Sequence, residues 1–195
     1  MSNTKIIFFD LETNGINKNC SVLSIAALKY SFDGKSLKQM DNPFVRYYFR
    51  KPPEKWDINA QKIHGLTDEI IDKKRGNNTY ELFFFKDKDN FNKYCSEIKH
   101  FVGHNIAFDE QFIYLPIKYK FCTMKSNENI VKAKNQEGVI KWPTLKETAL
   151  FYKIIFKASN LHDSYYDITL TYKIFEKMLN NEDSRKTVLD FLNQK

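Results

Sequence analysis

Apolar residues come in two textures along this chain. Between residues 5 and 51 they form short runs rich in β-branched and aromatic side chains, bounded by Asn, Gly and Pro. KIIFFDLET (5–13) reads as one strand and VLSIAALKY (22–30) as a second, with Asn14, Gly15 and Asn17 supplying the turn between them. LKQMDNPFVRYYFRK (37–51) reads as a third strand, broken near Pro43 because proline cannot donate to a ladder. Three strands on short connections predict an antiparallel meander. From Ile58 the spacing becomes helical. INAQKIHG and LTDEIID predict short helices, and DNFNKYCSEIKH (89–100) a longer one. FVGHN (101–105) reads as a buried strand leading into a helix at AFDEQFIYL. TLKETALFYKIIF and SYYDITLTYKIFEKML carry the clearest helical patterns. Antiparallel strands followed by β/α alternation predict one α/β domain with a mixed sheet.

Two lysine-rich stretches, 73–89 and 125–141, fall outside this pattern and read as loops or additions. Within the first, Phe83, Phe84 and Phe85 are expected to pack as a satellite of the core. The tail NNEDSRKTVLDFLNQK (180–195) reads as a final packing helix, with a partner-binding helix as the other option.

Composition narrows the class. A hydrophobic fraction of 42% fits a globular protein, and the longest apolar runs are too short to span a bilayer. The segment MSNTKIIFFD lacks the charged and apolar regions of a signal peptide. Cys20, Cys95 and Cys122 are scattered and odd in number, which leads us to expect reduced thiols and a cytoplasmic address. A formal net charge of +7 favours an anionic partner, nucleic acid above all.

Against that surplus of positive charge, FDLETNG sets Asp10 and Glu12 on one face of a strand end. Two acids held close raise each other's pKa unless a cation lies between them, and hard carboxylate oxygens suit magnesium or manganese. FVGHNIAFDEQF places Asp109 just inside a helix that follows a strand, and LHDSYYDITLTYKIF places His162 five residues before Asp167. Five helical residues turn through about 140°, so His162 is expected on the loop or first turn, leaning over a site that Asp167 enters from the helix. Taken singly, each motif also fits an ordinary strand end, a helix N-terminal acid or a cap. An aspartyl-nucleophile phosphatase, with D-x-D-G-T, fails on spacing, since Glu12 and Asn14 stand at the wrong positions.

Together FDLET, HNIAFD and HDSYYD resemble the three exonuclease motifs of the DEDD superfamily, in its histidine-containing subgroup. This subgroup includes the proofreading epsilon subunit of bacterial DNA polymerase III. INAQKIHGLTDEII and KWPTLKETALFY are similar to the segments that lie between those motifs, so the likeness runs from about residue 5 to about residue 179. Ser164 stands where the family pattern has alanine, and is small enough to leave the site intact.

The resemblance implies a ribonuclease H-like fold, a central mixed five-stranded sheet flanked by helices, in a single exonuclease domain over 1–195. It implies that Asp10, Glu12, Asp109 and Asp167 hold two divalent ions, Mg2+ or Mn2+. His162 would be the general base, and Leu11, Thr13, His64 and Phe108 would line the pocket for the terminal nucleotide. His100 and His104 are expected to serve structure. The expected partners are nucleic acid with a free 3′ end, preferably single-stranded, and a DNA polymerase; the choice of DNA or RNA stays open. The competing reading is a non-catalytic nucleic-acid-binding or polymerase-accessory module on the same fold.

Overall fold

The computed structural model describes residues 3–195. Thr4–Thr13 (β1) and Val22–Phe32 (β2) form a long antiparallel pair, with Asp10 opposite Ala26 and Glu12 opposite Ser24. The third predicted strand is in fact two. Leu37–Gln39 (β3) and Phe44–Tyr47 (β4) pair separately with β2, because the chain leaves its edge around Asp41–Pro43 and rejoins it. This gives the mixed sheet six strands rather than five. His100–Gly103 (β5) lies parallel beside β1, and Tyr119–Cys122 (β6) lies parallel beside β5. The order is β3-β2-β1-β5-β6, with β4 also on β2. The sequence reading missed β6, since four residues are too few to show a period.

The helices are Ile58–His64 (α1), Asp68–Arg75 (α2), Phe84–Tyr94 (α3), Ile106–Asp109 (α4), Thr123–Ser126 (α5), Glu128–Val131 (α6), Leu145–Phe151 (α7), Ser164–Leu179 (α8) and Glu182–Leu192 (α9). Two are shorter than their patterns suggested. The helix expected over AFDEQFIYL is the single turn α4, and α7 stops where Lys153 turns left-handed, at φ 54°. The helix placed at 89–100 lies at 84–94 instead. Its start falls in the lysine-rich stretch 73–89 that reads as loop, yet Asp87 within it is fully buried. It accepts hydrogen bonds from Arg46, from Tyr48 Oη at 2.7 Å and from Asn90 at 2.8 Å. A paired buried charge is invisible to a hydrophobic count.

Alternation along β1 builds two cores. Ile6 and Phe8 face a cluster with Ile168, Ile174 and Phe175 of α8 and with Val188, Phe191 and Leu192 of α9. Ile7, Phe9 and Leu11 face the other way, against Phe84 and Phe91 of α3 and Ile106 of α4. The tail therefore packs as a helix on the first core. Asp10 and Glu12 share parity with Ile6 and Phe8, so β1 presents both acids on the α8 side. Of the three consecutive phenylalanines only Phe84 joins the core. Phe83 and Phe85 stack on each other at 5.7 Å, and Phe85 is exposed.

Candidate active site

The turn that follows β1 is held by polar groups whose importance the sequence did not reveal. Asn14 is buried, and its Nδ2 donates to Glu54 Oε1 at 2.8 Å and to the Lys55 carbonyl at 2.7 Å. Its Oδ1 accepts from the Asp57 N–H at 3.1 Å. Glu54 in turn accepts from the Ser21 N–H and hydroxyl. Thr13 donates its hydroxyl to the Gly15 carbonyl at 2.7 Å. These bonds fix where β1 ends, and so where Asp10 and Glu12 sit.

Around that strand end the structure gathers the predicted acids. Asp109, on α4, is buried and accepts from the Leu11 N–H at 3.3 Å, which ties α4 to β1 beside Asp10. Asp167 lies in the first turn of α8 and accepts from the His162 N–H at 2.9 Å. One ligand atom each from Glu12, His162 and Asp167 lies within 4.8 Å of the others. His162 is exposed and occupies the turn before α8, as the helical geometry predicts.

Burial and mutual repulsion load this cluster. Burial, followed by Asp109, Glu12 and Asp167, holds the Asp10 carboxyl well above the usual range. Burial and then Asp167 and Asp109 do the same to Glu12. Burial raises Asp109 to about 8, and the Leu11 N–H only partly offsets it. Burial raises Asp167 to about 7 against the opposing His162 N–H. Of the Asp167 oxygens, Oδ1 is buried and, among the described residues, without a hydrogen-bond partner. Buried carboxylates that repel one another and leave an oxygen unpaired are chemically suited to hard divalent cations. The donor set fits magnesium or manganese.

Leu11, Thr13, His64 and Phe108 meet as walls of one cavity of about 370 Å³, to which Glu12 also contributes. That volume is in the range of small-ligand sites. Ile63, which the sequence reading did not select, lines it too. His64 Nδ1 accepts from the Leu66 N–H at 2.9 Å, so Nε2 carries the hydrogen; it is buried and lies beside the Thr13 backbone. Burial and then His162 lower His64 to about 4, which keeps its ring neutral at pH 7. His104 bridges Thr123 Oγ1 at 3.0 Å and the Pro143 carbonyl at 3.2 Å, and His100 packs between Tyr119 and Phe191. Both lie in structural contacts.

A further acid was overlooked in the sequence. Asp163 is the N-cap of α8 and lies near enough to raise the Asp10, Glu12 and Asp167 carboxyls. Burial would raise Asp163 itself, but hydrogen bonds from Lys74 and the Tyr166 N–H hold it below the usual range. Its position directly after His162 was the available signal.

Ser164 is fully buried, and its Oγ has no hydrogen-bond partner among the described residues. Ser164→Ala is therefore expected to stabilise the protein by about 1 kcal/mol, since a desolvated hydroxyl is removed and nothing is left unpaired. At this chain length that is a rise of roughly 2–4 °C in Tm. A lower Tm in a thermal melt would show that the hydroxyl has a partner in solution.

Comparison with known proteins places this geometry in a class. The chain belongs to the exonuclease family, whose sequence model matches residues 7–175. It is 28% identical to the DNA polymerase III subunit epsilon of Buchnera aphidicola over 202 positions, covering 94% of this chain and 78% of that protein. It is 25% identical to the PolC-type DNA polymerase III of Mycoplasmopsis pulmonis over 174 positions, covering 87% of this chain but only 11% of that one. Among solved structures, exonuclease X in complex with 5′ overhanging duplex DNA superimposes with a TM-score of 0.65 at 17% identity, covering 96% of this chain and 99% of that one. Escherichia coli exonuclease I in complex with a dA16 oligonucleotide gives a TM-score of 0.72 at 14% identity, over 96% of this chain and 42% of that one. The fold is that of the ribonuclease H-like exonucleases. No helix among the described residues is long and apolar enough to cross a membrane.

Proposed function

We propose that the protein is a divalent-metal-dependent 3′–5′ exonuclease that releases nucleoside 5′-monophosphates from DNA ends. The observation that carries this reading is the convergence of four carboxyls and His162 at the end of β1, beside a cavity lined by Leu11, Phe108 and His64. A binding module would not need buried, mutually repelling acids. The likeness to a polymerase III epsilon subunit supports DNA as substrate and a DNA polymerase as partner.

Asp10, Glu12, Asp109 and Asp167 would hold two divalent ions. When bound, these supply positive charge to the phosphoryl oxygens and a lowered pKa to the attacking water. The remaining work falls to the chain. An imidazole nitrogen of His162 would take a proton from the water as its oxygen bonds to phosphorus and the P–O3′ bond breaks, and the leaving 3′-oxygen would take up a proton from solvent to give the 3′-hydroxyl. His64 would wall the pocket for the terminal nucleotide, while Leu11 and Phe108 give its base apolar faces, stacking on the Phe108 ring contributing about 1–3 kcal/mol.

Incubation of 5′-labelled DNA and RNA oligomers with magnesium, manganese or chelator tests the reading. We expect a divalent-dependent ladder that keeps its label while nucleoside monophosphates accumulate. Immediate release of the labelled nucleotide would overturn the polarity, and activity undiminished by chelator would overturn the role of the acids. Single strands and mismatched 3′ ends are expected to be degraded faster than blunt duplexes. The cavity takes an unstacked base, and melting two or three pairs at about 1.4 kcal/mol of stacking per step implies a penalty of roughly 10²-fold. Equal initial rates at one salt concentration would remove the wedge role of Leu11 and Phe108.

A further inference from the structure

We infer that Lys74 and Tyr47, acting through the Asp163 carboxylate, hold the His162 loop in its working position, which makes Lys74 a positioning residue of the site. The inference rests on the catalytic reading of His162 given above.

His162 has a backbone φ of 68°, in the left-handed region. A residue with a Cβ pays roughly 1–2 kcal/mol there, so the turn keeps this shape only if its surroundings hold it. Two anchors flank it. On one side the His162 N–H donates to Asp167 Oδ2 at 2.9 Å. On the other, the next residue is Asp163, and both of its carboxylate oxygens are engaged.

Asp163 Oδ1 accepts from the Tyr166 N–H at 3.1 Å and caps α8. Asp163 Oδ2 accepts from Lys74 Nζ at 2.8 Å and from the Tyr47 hydroxyl at 3.0 Å. Lys74 Nζ also donates to Tyr47 Oη at 3.3 Å and lies 5.1 Å from that ring's centroid. One carboxylate thus joins α2, the end of β4 and the start of α8, one residue from the imidazole. The cap by itself would fix only the helix. The bonds from α2 and β4 fix the turn relative to the sheet that carries Asp10 and Glu12.

Asp163 is also a fifth carboxylate close enough to raise Asp10, Glu12 and Asp167, and Lys74 is the cation that its Oδ2 meets.

The test uses the full-length chain and the variants Lys74→Met, Lys74→Arg and Tyr47→Phe. Steady-state kcat and KM are measured on a 5′-labelled single strand at saturating magnesium, and the His162 ring signals are followed by NMR. Lys74→Met is expected to lower kcat by about 10- to 100-fold, the scale of a misplaced catalytic group, with KM within about 2-fold. Its single sharp His162 signal is expected to broaden or double. Lys74→Arg is expected to restore both readouts, and Tyr47→Phe, which removes the hydroxyl's bonds to Asp163 and Lys74 but leaves the ring and the Lys74–Asp163 pair, to shift them in the same direction by less. An unchanged His162 signal in Lys74→Met overturns the inference. So does a raised KM with intact kcat, which would make Lys74 a substrate contact. A disturbed His162 signal with wild-type kcat supports the clamp and instead removes His162 from the chemistry, so the two readings fail separately.

Discussion

Asp109→Asn is expected to abolish exonuclease activity, by at least about 10³-fold, while making the chelated protein more stable. The loss follows from the chemistry a divalent ion supplies, several kcal/mol of charge stabilisation, at tenfold in rate per 1.36 kcal/mol. The gain follows from burial. Asp109 is raised to about 8 and Asp167 to about 7, chiefly because each is buried, and Asp10 and Glu12 are raised by burial and by their neighbours. For these groups the folded state binds the proton more tightly than the unfolded chain does. The stability they contribute is complete below the unfolded value, near pH 4, and is lost as pH rises through about 7 to 8. The chelated wild type is therefore expected to melt at a lower temperature at pH 8.5 than at pH 5.5. Divalent ion should reverse that at pH 8.5 by binding the folded state. Asparagine keeps an oxygen that can accept the Leu11 N–H but carries no charge, so the variant should gain about 2 kcal/mol at pH 8.5, or roughly 4–8 °C. Thermal melts with and without chelator at the two pH values decide it. An Asp109→Asn protein that melts below wild type throughout would mean that the carboxylate serves the fold.

The residues that carry this argument were legible in the sequence because the chemistry confines them. D-x-E at a strand end requires both acids on one face, and β1 puts Asp10 and Glu12 on the α8 side. The spacing of His162 and Asp167 excludes a shared helix face, and the structure places one in the turn and the other on α8. The long amphipathic pattern of α8 was read to its observed bounds because nine of its sixteen residues are buried. What escaped were features made by contacts between distant segments. The buried Asp87, with its donors Arg46 and Tyr48, hid the start of α3 behind a polar sequence. Asn14 and Glu54, forty residues apart, set the end of β1 through a hydrogen bond that no local pattern announces. Asp163 and Lys74 meet across 89 residues for the same reason. Local periodicity reports which face is buried, but it does not report which polar groups find each other.

His162→Gly is expected to lower kcat by about 10²-fold or more with KM nearly unchanged, and added imidazole is expected to restore part of the loss. The magnitude is that of a removed general base, whose contribution is made in the transition state and not in substrate binding. Glycine is the informative replacement because of the backbone. At a φ of 68° it meets no Cβ penalty, whereas alanine keeps the strain that His162 already carries and leaves less room for a free imidazole. The ring it removes is exposed, so the fold loses little packing and free imidazole can reach the vacated position. The His162 N–H that Asp167 accepts is a backbone group and survives the substitution. Turnover of the variant at saturating magnesium, with and without imidazole, is the measurement. Wild-type turnover would remove His162 from the mechanism. A loss that imidazole does not relieve, accompanied by a weakened response to magnesium, would move the ring from proton acceptor to ligand, a role its position within 4.8 Å of Glu12 and Asp167 also permits.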